Sequence, residues 1–159
     1  MNTRINICSF KVNYSRQSSR RIATEKEVAD PESNAGEAIR GWLEPAGVAP
    51  SRIHPFRIDR ITPEESADLY AEWLLPWAPN ERSFPRLDLV FLGMGDDGHT
   101  LSLFPGTAAI HEAHRWVVPN HVPKLDTTRL TMTAPVVNAA RQVVFLAGGG
   151  GKADRLATV

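Results

Sequence analysis

The chain has a single cysteine, Cys8, so no disulfide can close within it and no pair of thiolates is available to a metal. It also lacks any apolar run approaching the roughly 20 residues that a membrane helix needs. The N-terminus carries basic residues but no apolar stretch leading to a small-residue cleavage site, so it does not read as a secretory signal. Net charge is missing too: 18 Lys and Arg balance 18 Asp and Glu, and no overall field draws the chain to nucleic acid or membrane. The expected location is the cytoplasm. No internal repeat is visible. What remains is a chain of 159 residues, 42% hydrophobic and 23% charged, the make-up of one globular domain. A balanced total still leaves room for a local anion pocket.

The first 27 residues are the least structured in pattern. Ile5 to Phe10 reads as a short strand, whereas Asn13 to Arg21 is polar and basic. Such a run is more often a solvated terminus than a nucleic-acid arm. From Ser33 the grammar is clearer. Asn34 with Glu37 three residues on resembles a capping box, and Ala35, Ala38, Ile39, Trp42 and Leu43 recur at helical spacing until Pro45 and Gly47. Ile53 to Ile58 reads as a short strand. Thr62-Pro63-Glu64-Glu65 combines a cap, a proline at the first helical position and first-turn acids, which predicts a helix through Tyr70 and Trp73 that stops before Pro76.

Leu87 to Leu92 is almost continuously apolar, the pattern of a central parallel strand buried on both faces. Trp116 to Val118 and Arg129 to Thr133 are further strand candidates, Pro135 to Ala140 a short helix, and Gln142 to Ala147 another apolar strand leading to a helix from Lys152. Strands alternating with helices predict a three-layer, Rossmann-like α/β fold built on an open, largely parallel sheet.

Both apolar strands run into glycines. Ligands of such sheets collect beyond the carboxyl ends of the strands, where helix N-termini offer amides to anions. In Gly93-Met94-Gly95-Asp96-Asp97-Gly98-His99 the glycines, Gly95 and Gly98 among them, permit tight turns with exposed N–H groups. A lone loop histidine is usually a surface or packing residue. Here it follows a buried strand beside two acids and three glycines, which marks His99 as the candidate general base and Asp97 as a carboxylate able to orient it.

Gly148-Gly149-Gly150-Gly151-Lys152 is a second candidate site, either a flexible loop or a phosphate cradle. It is not a P-loop, because Ala153 stands where Ser or Thr would hold magnesium. No metal site is expected: His111 and His114 have no further ligand at zinc-like spacing, and His54, His99 and His121 are scattered. Trp42, Trp73, Trp77 and Trp116 read as core or edge packing, and Ser102 lacks a nucleophile-elbow context.

The run from Asp88 through Asp96-Asp97-Gly98-His99 to Ser102-Leu103-Phe104-Pro105-Gly106 closely resembles the signature of the 6-phosphogluconolactonases. That family shares its fold with glucosamine-6-phosphate deaminases, whose corresponding segment ends in Asn-Glu-Pro-Gly instead. Leu101 stands where alanine is commoner. Pro31-Glu32-Ser33-Asn34, Arg129-Leu130-Thr131 and Gly149-Gly150-Gly151-Lys152-Ala153 resemble other family segments in the same order, so the resemblance covers about residues 31–159.

The resemblance implies hydrolysis of a phosphorylated sugar lactone, 6-phosphogluconolactone, without a redox cofactor. His99 would activate water, Asp97 would orient His99, and Arg129 and Lys152 would hold the phosphate. The chain departs from the pattern in two places. No Gly-Gly-Ser-Thr-Pro-like loop is present, and Thr24-Glu25-Lys26 stands where Asp-Glu-Arg is usual. Residues 1–30 therefore read as an atypical N-terminal segment, foreign or frame-shifted, and residues 31–159 as a partial domain; the alternative is a divergent short member of the family. The alternatives are a sugar-phosphate binder without turnover and an amino-sugar-phosphate isomerase or deaminase. A partial sheet would leave apolar edges exposed, which favours oligomerisation.

Overall fold

The computed structural model describes residues 5–6, 14–15, 33–57, 60–80 and 83–158. Cys8, Thr24-Glu25-Lys26, Pro31-Glu32 and the basic run from Arg16 onward lie outside the described residues. Two sheets form the frame. In the first, β1 (Ile5–Asn6), β3 (Leu89–Gly93) and β6 (Val143–Leu146) pair in parallel with β3 in the middle. In the second, β2 (Tyr14–Ser15), β5 (Thr127–Met132) and β4 (Val117–Val122) pair antiparallel. Parallel pairing of the two apolar strands agrees with their sequence pattern. The β4–β5 hairpin makes the architecture mixed: Pro123–Leu125 forms a tight 3-10 turn, and Asp126 at φ 43° reverses the chain.

Helix α1 (Asn34–Ala38) is capped one residue earlier than its sequence implies. The Ser33 hydroxyl accepts the Gly36 N–H at 3.1 Å, and Glu37 is left for the cleft that it lines. Past Ala38 the helix widens into a π turn, Ile39–Leu43, with the Glu44 N–H donating to the Ile39 carbonyl at 2.9 Å. Such turns are uncommon and tend to accompany functional surfaces. Residues 53–57 do not form the expected strand. Pro55 has no N–H to offer a ladder, and the segment is instead held by aromatic contacts. His54 lies 4.4 Å from Trp73, Phe56 4.3 Å from Tyr70, and the Tyr70 hydroxyl donates to the His54 carbonyl at 3.1 Å.

Helix α2 (Pro63–Leu74) begins where its cap predicts and gives way to a 3-10 turn at Leu75. It packs on β4 and β5, and Leu74, Val90, Leu92, Val117, Leu130 and Met132 form the heart of the core. Each such side chain contributes about 1.5–3 kcal/mol through burial. Short α3 (Ala134–Asn138) follows β5, and α4 (Ala153–Leu156) follows the glycine run. The sheet edge is different. Phe145 and Leu146 of β6 are 61% and 60% exposed, so this apolar strand is covered on neither face by the described residues.

At the start of α2, Thr62 and Glu65 close a reciprocal cap. Thr62 Oγ1 accepts the Glu65 N–H at 3.1 Å, and the Glu65 carboxylate accepts the Thr62 N–H at 2.7 Å and its hydroxyl at 3.0 Å. The Thr62 N–H, then its hydroxyl, hold the Glu65 carboxyl below its usual range. A depressed folded-state value means that this contribution is present above the ordinary glutamate range and is lost as pH falls through the folded-state value. Thr62→Ala is expected to cost about 1 kcal/mol at neutral pH. Thermal melts should show that deficit shrinking in acid, where the partner carboxylate is protonated in both proteins.

Candidate functional site

Beyond Gly93 the chain leaves β3 and folds back on itself. The Gly98 N–H donates to the Gly95 carbonyl at 2.9 Å, the Gly95 N–H to the His99 carbonyl at 2.8 Å, and Thr100 Oγ1 to the Gly93 carbonyl at 2.9 Å. Gly98 sits at φ 83°, a left-handed conformation that glycine adopts without penalty. Gly95 is required for a different reason: a Cβ there would overlap Cε1 and Nδ1 of the His99 ring. The loop thus brings an imidazole onto bare backbone. Leu101 also has positive φ, at 53°, although its side chain is buried in the core.

The His99 ring is largely enclosed, its side chain 13% exposed. Nδ1 is in hydrogen-bonding contact with Asp97 Oδ1, and the same carboxylate oxygen accepts the His99 backbone N–H at 3.2 Å. This pairing assigns the proton to Nδ1 and the lone pair to Nε2 in the neutral ring. Phe104 stacks on the imidazole with centroids 3.9 Å apart and planes inclined by 22°. Asp97 has a second partner: Lys124, from the turn of the β4–β5 hairpin, forms an ion pair through Asp97 Oδ2.

His99 opens onto a cleft of about 610 Å³ whose walls include Glu37, Trp42, Met94, Gly95, Asp96 and Lys152. Lys152 comes from the second glycine run and donates from Nζ to the Met94 carbonyl at 2.5 Å, tying the loop after β6 to the loop after β3. Gly95, Asp97, His99 and Lys152 are therefore brought together, and Gly98 shapes the turn that carries them.

Arg129 is not on the cleft wall. It lies buried in β5, its guanidinium 5.4 Å from the Phe104 ring centre, and its Nε and Nη1 have no hydrogen-bond partner among the described residues. Burial lowers its pKa from the ordinary arginine value.

The sequence pattern assigns Trp42 to core or edge packing. The π turn instead leaves it 41% exposed on the cleft. Phe104 belongs to the run that carries the family resemblance, but nothing in its spacing reveals the stack on His99. Lys124 carries no signal at all, being a single cation in a hairpin turn far along the chain.

Residues 25–159 match the family described as glucosamine-6-phosphate isomerases/6-phosphogluconolactonase. A 6-phosphogluconolactonase from Synechocystis sp. is 38% identical over 133 residues, covering 83% of this chain and 55% of that protein. A 6-phosphogluconolactonase from Homo sapiens is 46% identical over 91 residues, covering 57% of this chain and 35% of that protein. The solved 6-phosphogluconolactonase from Trypanosoma cruzi superposes with a TM-score of 0.66 at 29% identity, over 79% of this chain and 53% of that one. The chain thus spans about half or less of the length of these relatives. With most of its sequence matched to the family profile and its fold shared with a solved member, the chain belongs to the glucosamine-6-phosphate isomerase/6-phosphogluconolactonase family.

Proposed function

We propose that the cleft hydrolyses 6-phospho-D-glucono-1,5-lactone to 6-phosphogluconate, with His99 as general base. The observation that carries this reading is the Asp97–His99 pair beside the cleft, with Lys152 on the cleft wall. Nε2 of neutral His99 takes a proton from water as its oxygen bonds to the lactone carbonyl carbon. The ring C–O bond then breaks, and the departing oxygen recovers that proton from the imidazolium, leaving a carboxylic acid that ionises in water. Asp97 stabilises the imidazolium between these steps. Sugar lactones open in water unaided, so positioning and one base, worth about a hundredfold or more, suffice for a useful enzyme.

The phosphate end of the substrate is assigned to Lys152 and the amides of the glycine run before it. Arg129, a buried guanidinium whose Nε and Nη1 have no partner among the described residues, is a further cation for the anion. A lactone substrate is favoured over an amino-sugar phosphate by the Ser102-Leu103-Phe104-Pro105-Gly106 ending. A metabolic enzyme with a lone cysteine fits the cytoplasm.

Purified protein is expected to speed the loss of 6-phosphogluconolactone above the spontaneous rate, and His99→Ala to remove that gain. Wild-type protein that binds 6-phosphogluconate without accelerating hydrolysis would overturn the catalytic reading in favour of a binding protein. Ammonia release from glucosamine 6-phosphate would overturn it in favour of a deaminase. Gly95→Ala should lower kcat by about tenfold or more while the fold persists, since the new methyl displaces the base by a fraction of its own size. Circular dichroism alongside the assay separates the two effects.

We also propose that the β6 edge, uncovered among the described residues, drives self-association through its exposed apolar side chains. Light scattering is expected to show species larger than a monomer, and Phe145→Lys to shift them downward. A monodisperse, cooperatively melting wild-type monomer would count against it.

A further inference from the structure

The Asp97 carboxylate serves two partners with its two oxygens, and only one of them is histidine. Oδ1 meets His99 Nδ1, and Oδ2 meets Lys124 Nζ. Lys124 is fixed at its root by the Pro123–Leu125 turn between β4 and β5, and its ammonium lies 4.8 Å from the centre of the Phe104 ring that stacks on His99. The lysine therefore touches both groups that hold the imidazole.

We infer that Lys124 is a positioning residue for the general base: it clamps the Asp97 carboxylate and limits how strongly that carboxylate raises the basicity of His99. The inference rests on the proposed role of His99. A carboxylate with one free oxygen rotates about χ2 and presents either oxygen to the ring. A cation on Oδ2 fixes which oxygen faces Nδ1. The same cation offsets part of the negative charge felt by the imidazole. An unneutralised aspartate beside histidine favours the imidazolium, which has no lone pair to accept a proton from water. With Lys124 on Oδ2, the carboxylate draws a proton onto the ring less strongly.

Other charged groups surround the ring. Asp96, Glu37 and Lys152 lie along the cleft, Arg129 on Phe104, and the Arg155 stem beside Gly98. Among the described residues, Lys124 is the cation that pairs with Asp97. The Lys124 side chain is 52% exposed, so its removal does not open the core.

The test is the NMR titration of the His99 imidazole in the full chain, a measurement that needs no turnover. Lys124→Met keeps the apolar stem over Phe104 and removes the charge. It is expected to raise the His99 pKa by about half a unit or more, the effect of losing a nearby unit charge even under strong solvent screening. Lys124→Arg should restore the wild-type value. In an Asp97→Asn background the same Lys124→Met change should have a smaller effect, because the carboxylate that couples the two is gone. An unchanged His99 pKa in Lys124→Met, or an equal shift with and without Asp97, overturns the inference.

In the lactonase assay, the acid limb of kcat/KM should move to higher pH in Lys124→Met and return in Lys124→Arg. Absence of lactonase activity in the wild type would sink the catalytic proposal alone and leave the imidazole titration to decide the role of Lys124.

Discussion

Asn120, buried in β4, donates from its side-chain amide to the loop that follows β3, reaching the Ser102 carbonyl at 2.7 Å and Thr107 Oγ1 at 2.9 Å. Thr131 in β5 accepts the Ser102 N–H at 3.3 Å. These buried polar bonds hold the loop to the hairpin, and everything proposed for the site depends on that attachment. The loop places Phe104 on His99, while the hairpin brings Lys124 and Arg129 to the same Phe104 ring. A buried amide left without a partner costs about 1–3 kcal/mol, so the pairing specifies one seating of the loop more sharply than apolar contact alone would.

Glycine sets the second constraint. The His99 ring occupies the space that a side chain at Gly95 would need, and Gly98 makes the turn that returns the chain to it. These requirements are local and legible in the sequence, because a glycine is named by what it lacks. The α2 cap is legible for a similar reason: Thr62 and Glu65 satisfy each other within one turn. Apolar runs likewise mark β3 and β6, whose parallel pairing follows from their composition.

Other features depend on contacts between segments distant in sequence, or on a choice between near-equals. The cap of α1 falls on Ser33, one residue before Asn34, and the two residue types have nearly equal capping strength. The stretch at 53–57 has the apolar content of a strand, whereas its preference for the aromatic face of α2 emerges only in three dimensions. Lys124 illustrates the limit most clearly. Nothing near it in sequence distinguishes it from any exposed lysine, and its meaning emerges only when the hairpin turn meets Asp97. Arg129 differs: the family resemblance implies a role at the phosphate, whereas its burial in β5 and its place beside the Phe104 ring emerge only in the fold.

The Lys152–Met94 bond joins loops 58 positions apart, and the Asp97–Lys124 pair links two more segments that are remote along the chain. Closing such separations costs chain entropy before any contact repays it. The backbone hydrogen bonds of helix α2 and of the β4–β5 hairpin are local in sequence, whereas the cleft exists only where β3, the hairpin and the second glycine loop converge. The candidate cleft therefore depends on contacts between segments remote in sequence. A partly folded population would retain helical signal while lacking the cleft altogether.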